Sequence, residues 1–170
     1  HSLRTLNLSR CFELKDISPL AKCGSLHTLR LRSCCLKDVS PLAKCGSLHT
    51  LDLHNCCLLT DLSALSECGT LHTLDLGDCE TLKDISPLAK CGSLCDLSLR
   101  CCNHLTELSP LAECGSLHTL NLSYCTQLTD MSILAPCRSL HTLDLSCCAR
   151  LKDISPLAEC GSLHTLDLRE

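Results

Sequence analysis

Cysteine offers this chain more chemistry than any other residue type: 19 of its 170 residues are Cys. Such a density first suggests a disulfide framework, but the placement argues otherwise. Fourteen recur in two regular columns, Cys11, Cys34, Cys56, Cys79, Cys102, Cys125 and Cys148, and Cys23, Cys45, Cys68, Cys91, Cys114, Cys137 and Cys160. Five stand outside: Cys35, Cys57, Cys95, Cys101 and Cys147. The total is odd, and a column with one thiol per interval runs in a line. A zinc site needs four ligands converging tetrahedrally, and a disulfide needs two Cβ atoms that face each other. The expectation is reduced, metal-free thiols acting as small hydrophobes with a weak donor. A reducing compartment such as the cytoplasm follows from it, with the extracellular surface as the alternative. In the first column the donor is expected to meet a turn carbonyl; in the second, Cys is expected only to fill space. The outlying cysteines are expected to be more exposed, with Cys101 and Cys147 prone to oxidation.

Histidine and the acidic residues form columns of their own. His27, His49, His72, His118, His141 and His164 share one position, interrupted by Arg4 and Cys95. The triplet His27, His49 and His72 could take Zn or Ni weakly if its rings converged. The plainer reading is a half-exposed residue beside a strand, copied by duplication. Asp16, Asp38, Asp61, Asp84, Glu107, Asp130 and Asp153 form the acidic column. Stacked like charges repel, so these carboxylates are expected to meet free amides that open a turn. A calcium site would need roughly 6–8 oxygens around one centre. There is no Gly-rich phosphate loop, HExxH motif or nucleophile elbow. No catalytic residue, metal ligand or cofactor is therefore expected, and the chain reads as a non-enzyme.

A repeat must position these columns. Segments like Ser-Leu-His-Thr-Leu begin at Ser2, Ser25, Ser47, Thr70, Ser93, Ser116, Ser139 and Ser162, in steps of 23, 22, 23, 23, 23, 23 and 23. Residues 1–170 read as one domain of seven full repeats and a partial eighth, opening and closing inside a repeat as a fragment of a longer array would. Repeats of this period stack, each contacting only its neighbours. The core must be Leu, Ile and Cys, because 45% of residues are apolar while only Phe12 and Tyr124 are aromatic. Within a unit, Leu71-x-x-Leu74-x-Leu76-x-x-Cys79-x-x-Leu82 contains one short alternating strand. Strands are expected near residues 5–8, 28–31, 50–53, 73–76, 96–99, 119–122, 142–145 and 165–168. The unit's second half, Asp84-Ile85-Ser86-Pro87-Leu88-Ala89-Lys90-Cys91-Gly92, has room for a helical or 3₁₀ turn. Ser86 would be its N-cap, Pro87 its first residue, and Gly92 a permissive position after it. The residue missing between Cys34 and Leu36 should fall in a turn, because a slip inside a strand would exchange its faces. Pro136 and Arg138 should distort the sixth outer turn.

These sequences resemble leucine-rich repeats over essentially the whole chain. The segment Leu82-Lys83-Asp84-Ile85-Ser86-Pro87-Leu88 is similar to the short repeats of bacterial internalins. Cys at the usual Asn position departs from that group and looks more like cysteine-containing and trypanosomatid repeats. The resemblance implies an α/β class fold: a right-handed solenoid, its parallel sheet on the concave side and short helical or 3₁₀ turns on the convex side, usually used to bind proteins.

The polar strand positions should leave that concave face. Arg30 and Arg32 would form a basic group, with Asp52, Asp75 and Asp96 an acidic strip beside it. Together with His54, Arg100 and Tyr124 they are the candidate protein-binding residues, Arg and Tyr being favoured in interface hot spots. A formal net charge of -4 argues against nucleic acid, and no run is long enough to span a membrane. The leading expectation is a protein-interaction scaffold. The alternatives are a surface or adhesion module of internalin type, the substrate-recognition part of a ubiquitin ligase or signalling protein, and a consensus-like scaffold with no partner of its own. Oligomeric state and partner identity stay open at this level.

Overall fold

The structure, a computed structural model, describes residues 2–170. Eight three-residue strands, β1 (Thr5–Asn7), β2 (Thr28–Arg30), β3 (Thr50–Asp52), β4 (Thr73–Asp75), β5 (Asp96–Ser98), β6 (Thr119–Asn121), β7 (Thr142–Asp144) and β8 (Thr165–Asp167), alternate with seven 3₁₀ turns. They form one parallel sheet in chain order. Register is unbroken from coil to coil, as in Leu51↔Leu74↔Leu97. The residue missing after Cys34 leaves it intact, for Thr28 still faces Thr50. Other coils close a small turn there, as when Leu82 N–H donates to Cys79 O at 3.0 Å; the shortened coil omits it.

Alternation along each strand sends Leu inward. Leu29, Leu31, Leu51, Leu53, Leu74 and Leu76 are all buried, and Ile17, Val39, Leu62, Ile85, Leu108 and Met131, before the first six outer turns, join them. Each such Leu contributes about 1.5–3 kcal/mol of burial. The end coils lack one neighbour, so Leu3, Phe12, Ile154, Leu166 and Leu168 are exposed. Cys11, expected to point inward with its column, is exposed for the same reason.

How each strand stops was not visible in the sequence. On every strand but β2 and β5, which end in Arg30 and Ser98, the terminal Asn or Asp accepts the backbone N–H two residues on, as in Asp52 with His54 at 3.0 Å and Asp75 with Gly77 at 2.8 Å. The residue after that takes a left-handed conformation: Arg10, Ser33, Asn55, Asp78, Cys101, Tyr124 and Cys147 have φ between 56° and 65°. None is glycine, and the cost for such residues is about 1–2 kcal/mol each. Each is held there because its N–H continues the ladder to the next coil, as Asp78 does to Arg100 O at 2.7 Å. The chain then dips inward, which buries the cysteine that follows. Gly92 and its equivalents, expected to supply the permissive backbone, are not in that region: no described glycine has positive φ.

The thiols of the first column donate to a carbonyl of the preceding coil, Cys79 to Leu53 O and Cys102 to Leu76 O, both at 3.3 Å. The second column does more than fill space, which corrects the expectation: Cys91 donates to Leu65 O at 3.3 Å and Cys160 to Leu134 O at 3.2 Å. Each of these carbonyls also accepts a backbone N–H of its own coil, as Leu53 O does from Cys56 at 3.1 Å, so the thiol adds a second bond that links coil to coil. Burial pushes these thiols up, Cys56, Cys79, Cys91 and Cys125 to about 12. Cys101, expected to be exposed and oxidation-prone, is half-buried, and burial with Asp78 beside it raises its thiol to about 11.

The outer turns are 3₁₀, such as Ser86–Lys90 with Pro in its first turn. The acidic column caps them. Asp16, Asp38, Asp61, Asp84, Glu107, Asp130 and Asp153 each accept the N–H two residues on, at 2.7–2.8 Å. These bonds hold Asp16, Asp38, Glu107, Asp130 and Asp153 below the usual carboxylate range. Ser86 is therefore the first residue of its turn rather than the cap, and its hydroxyl donates to Asp84 at 3.1 Å. The sixth turn shrinks to Ser132–Leu134, where Pro136 can donate no amide. Ala64 lacks the usual proline, yet its turn keeps the full length, Ser63–Glu67.

Candidate protein-binding face

The residues alternating with the inward leucines leave the opposite, concave face of the sheet. Arg30, exposed, lies between Asn7 and Asp52. Arg32 is engaged with its neighbours: Nε donates to Asp52 at 3.4 Å and Nη2 reaches across two coils to Asp75 at 3.5 Å. His54 approaches Asp75 at 3.7 Å and Asp78 at 3.0 Å through its two ring nitrogens. Gly77 makes this possible, since a Cβ there would sit 2.8 Å from His54 Nδ1. Arg100 completes the row, donating to Asp78 at 3.2 Å and lying 5.0 Å over the Tyr124 ring. A cation over an aromatic face contributes about 0.5–1 kcal/mol at such an exposed place.

Two candidates sit elsewhere than the strand pattern implied. Asp96 does not continue the Asp52–Asp75 column, whose next member is Ser98; it faces Thr73, two residues earlier. Tyr124 occupies the left-handed position at the strand's C-terminal rim, one residue beyond the alternating set. Asp78 was not singled out, although it accepts from Arg100 and lies 3.0 Å from the His54 ring; as the only acidic member of the left-handed column it carried a signal. Small side chains beside this row leave a shallow hollow of about 210 Å³ lined by Thr73, Asp75, Asp96, Ser98, Thr119 and Asn121. The imidazoles form a separate ladder, His27 on His49 and His49 on His72 with centroids 4.7 Å apart, resuming at His118. Stacked rings run parallel and do not converge on one ion. Among the described residues no helix is long and apolar enough to cross a membrane.

One parallel strand and one outer 3₁₀ turn per coil, wound on a leucine column, define a leucine-rich repeat solenoid. Over its first 67 residues the chain is similar in sequence to the leucine-rich repeat family, and the same fold runs through the described residues. The family model for leucine-rich repeats (two copies) matches residues 1–44 and 24–67. The internalin InlF of Listeria monocytogenes superposes with a TM-score of 0.81 at 33% identity, covering 91% of this chain and 44% of that one. This chain thus spans less than half of that structure. Internalin InlC2 of the same organism gives a TM-score of 0.67 at 24% identity over 96% of this chain and 80% of that one. The leucine-rich repeat domain of the type III effector XopL gives 0.73 at 16% identity over 99% and 69%. The last two show the fold alone. No curated protein matches the sequence.

Proposed function

We propose that this chain is a non-enzymatic interaction module whose concave sheet takes up a protein partner, in a reducing intracellular compartment. The observation that supports this most directly is the contrast between faces. Leucine recurs at every inward position, while Arg30, Asp52, Asp75 and Ser98 succeed one another at a single outward position on β2–β5. Eight strands at about 4.8 Å give a face roughly 35 Å long, room for about 800 Å² of contact per partner. Arg32, Arg100 and Tyr124 supply the side chains that anchor interfaces, and ion pairs hold the two arginines in place before binding. Nucleic acid is a poor fit to a face on which arginines alternate with aspartates. Similarity to InlF favours a second reading, a surface module of internalin type; 19 cysteines without a facing partner column weigh against it.

The test is affinity capture with the full-length protein, followed by titration of the captured partner. Arg32→Glu with Arg100→Glu should weaken binding at least about tenfold, the loss expected of hot-spot residues. Lys22→Ser and Glu67→Ser on the outer turns should leave it within about twofold, as energetically neutral positions do. The reverse result would place the binding surface on the convex side.

A further inference from the structure

The fifth repeat departs from the others at two adjacent positions. Where its neighbours carry His-Thr, at His72-Thr73 and His118-Thr119, it carries Cys95-Asp96. Both replacements are metal-ligand types, and both fall beside a histidine. Among the described residues, His72, Cys95 and Asp96 are the one trio of His, Cys, Asp or Glu side chains whose ligand atoms all lie within 4.8 Å of one another. All three are half-buried, so an ion could enter from solvent and be partly shielded once there.

We propose that His72, Cys95 and Asp96 form a zinc site, with water as the fourth ligand. The backbone already fixes the frame. Cys95 and Asp96 N–H both donate to His72 O, at 2.9 and 3.0 Å, and His118 and Thr119 N–H donate to Cys95 O, at 2.8 and 3.0 Å. The His72 ring is turned away from its ladder. It is tilted 28° from His49, whereas the other stacked pairs lie within 10°. Its Nδ1 lies 3.1 Å from Ser93 O of the next coil, whereas His118, His141 and His164 use a serine carbonyl of their own coil. A carbonyl can only accept, so this contact favours the tautomer with the proton on Nδ1, which leaves the Nε2 lone pair free for an ion. That is the tautomer, and the kind of backing carbonyl, that metal-bound histidines use.

The donor set selects the ion. One imidazole, one thiolate and one carboxylate suit zinc, while Ca²⁺ and Mg²⁺ call for oxygens alone. Thiolate and carboxylate together balance the 2+ charge. In a tetrahedral zinc site the ligand atoms stand about 3.3–3.6 Å apart. Ligand atoms now within 4.8 Å must therefore draw together by up to about 1.5 Å, a movement for rotation about the side-chain bonds of Cys95, Asp96 and His72 to supply. On binding, the Cys95 S–H proton passes to water and the sulfur bonds the metal. The ion would then clasp the fourth coil to the fifth at the edge of the hollow that Asp96 lines.

Cobalt(II) is the probe, added to untagged full-length protein stripped of metal under reducing conditions. Wild type should bind one Co²⁺ per chain, with tetrahedral d–d absorption and a thiolate-to-cobalt charge-transfer band, both abolished by Zn²⁺. Cys95→Ser should lose the charge-transfer band. Asp96→Thr should weaken binding at least about tenfold, the cost of disturbing even an outer partner of a metal ligand. The double variant Cys95→His/Asp96→Thr restores the dipeptide of the neighbouring coils, so folding is not at risk, and it too should lack the band. A wild type without stoichiometric binding, or a Cys95→Ser protein that keeps the band through other thiols such as exposed Cys11 and Cys57, would overturn the site.

Discussion

The cysteine ladders and the histidine ladder are both columns of one reactive residue per coil, yet the fold uses them in opposite ways. The thiols of Cys34, Cys56, Cys79, Cys102, Cys125 and Cys148 are buried, and each meets the same partner, a leucine carbonyl of the coil before, at 3.1–3.3 Å. The imidazoles stand at the sheet's rim, and their Nδ1 contacts change along the array, from a threonine hydroxyl at His27 and His49 to serine carbonyls at His118 and His141. Repetition alone says that a unit was copied. A constant bonding partner says that the residue type matters. By that measure cysteine is a structural link, and histidine is a tolerated passenger except at His72.

The largest effect that can break this comparison is alkaline. An unfolded thiol loses its proton near pH 8.5, while Cys56, Cys79, Cys91 and Cys125 hold theirs to about 12 in the fold. The unfolded state then binds fewer protons than the native one, so stability falls as pH rises. It is fully present below pH about 8.5 and is lost progressively toward pH about 12. Urea midpoints under reducing conditions should therefore drop steeply between pH 8 and pH 10; a flat profile would mean that these thiols are not buried. Thiol titration of unoxidised protein after denaturation should find all 19 cysteines reactive, and fewer than about half would show facing, paired sulfurs after all.

Next in size is a direct exchange of the two ladders. Cys79→Ala removes a buried sulfur and its inter-coil bond to Leu53 O, which keeps only the Cys56 N–H, a loss of about 1–3 kcal/mol, chiefly from the cavity. His141→Ala removes a ring whose Nδ1 faces only the nearby Ser139 O and should stay within about 0.5 kcal/mol of wild type. Equal losses in urea unfolding would erase the distinction between link and passenger.

What the sequence disclosed follows the same line. Strand positions, outer turns, the leucine core and the amide-capping acidic column were all legible, because each rests on periodicity or on a local rule. The strand end was not. Its left-handed residues include Arg10, Tyr124 and two cysteines, types that give no turn signal, and they are held by a hydrogen bond to the next coil rather than by their own preference. The carbonyl partners of Cys91 and Cys160 were hidden for a similar reason, since they lie 26 residues away. At the candidate face, the row of residues could be chosen but not its pairing. Arg32 reaches Asp75, 43 residues on, only because the coils stack in register. The turn of His72 toward the fifth coil depends on the same stacking.

The smallest effect lies on the acid side and concerns His49, at the centre of its stack. Burial, and then the neighbouring His72 and His27 rings, lower its pKa below the ordinary histidine value. An unfolded histidine takes up its proton near pH 6.5, before the folded ring does. The unfolded state therefore binds more protons in that window, and stability declines as pH falls through about 6.5 toward the lowered folded value. The capping carboxylates act separately. Asp16, Asp38, Glu107, Asp130 and Asp153 are held below their usual range by the amides they accept, so their contribution is present above pH about 4 and lost only below it. His49→Gln should accordingly flatten the urea midpoint between pH 7.5 and pH 5.5 and leave the steeper decline below pH 4 unchanged. If the variant keeps the full slope above pH 5.5, the stacked rings carry no proton linkage, and the histidine ladder is a passenger in electrostatics as well as in packing.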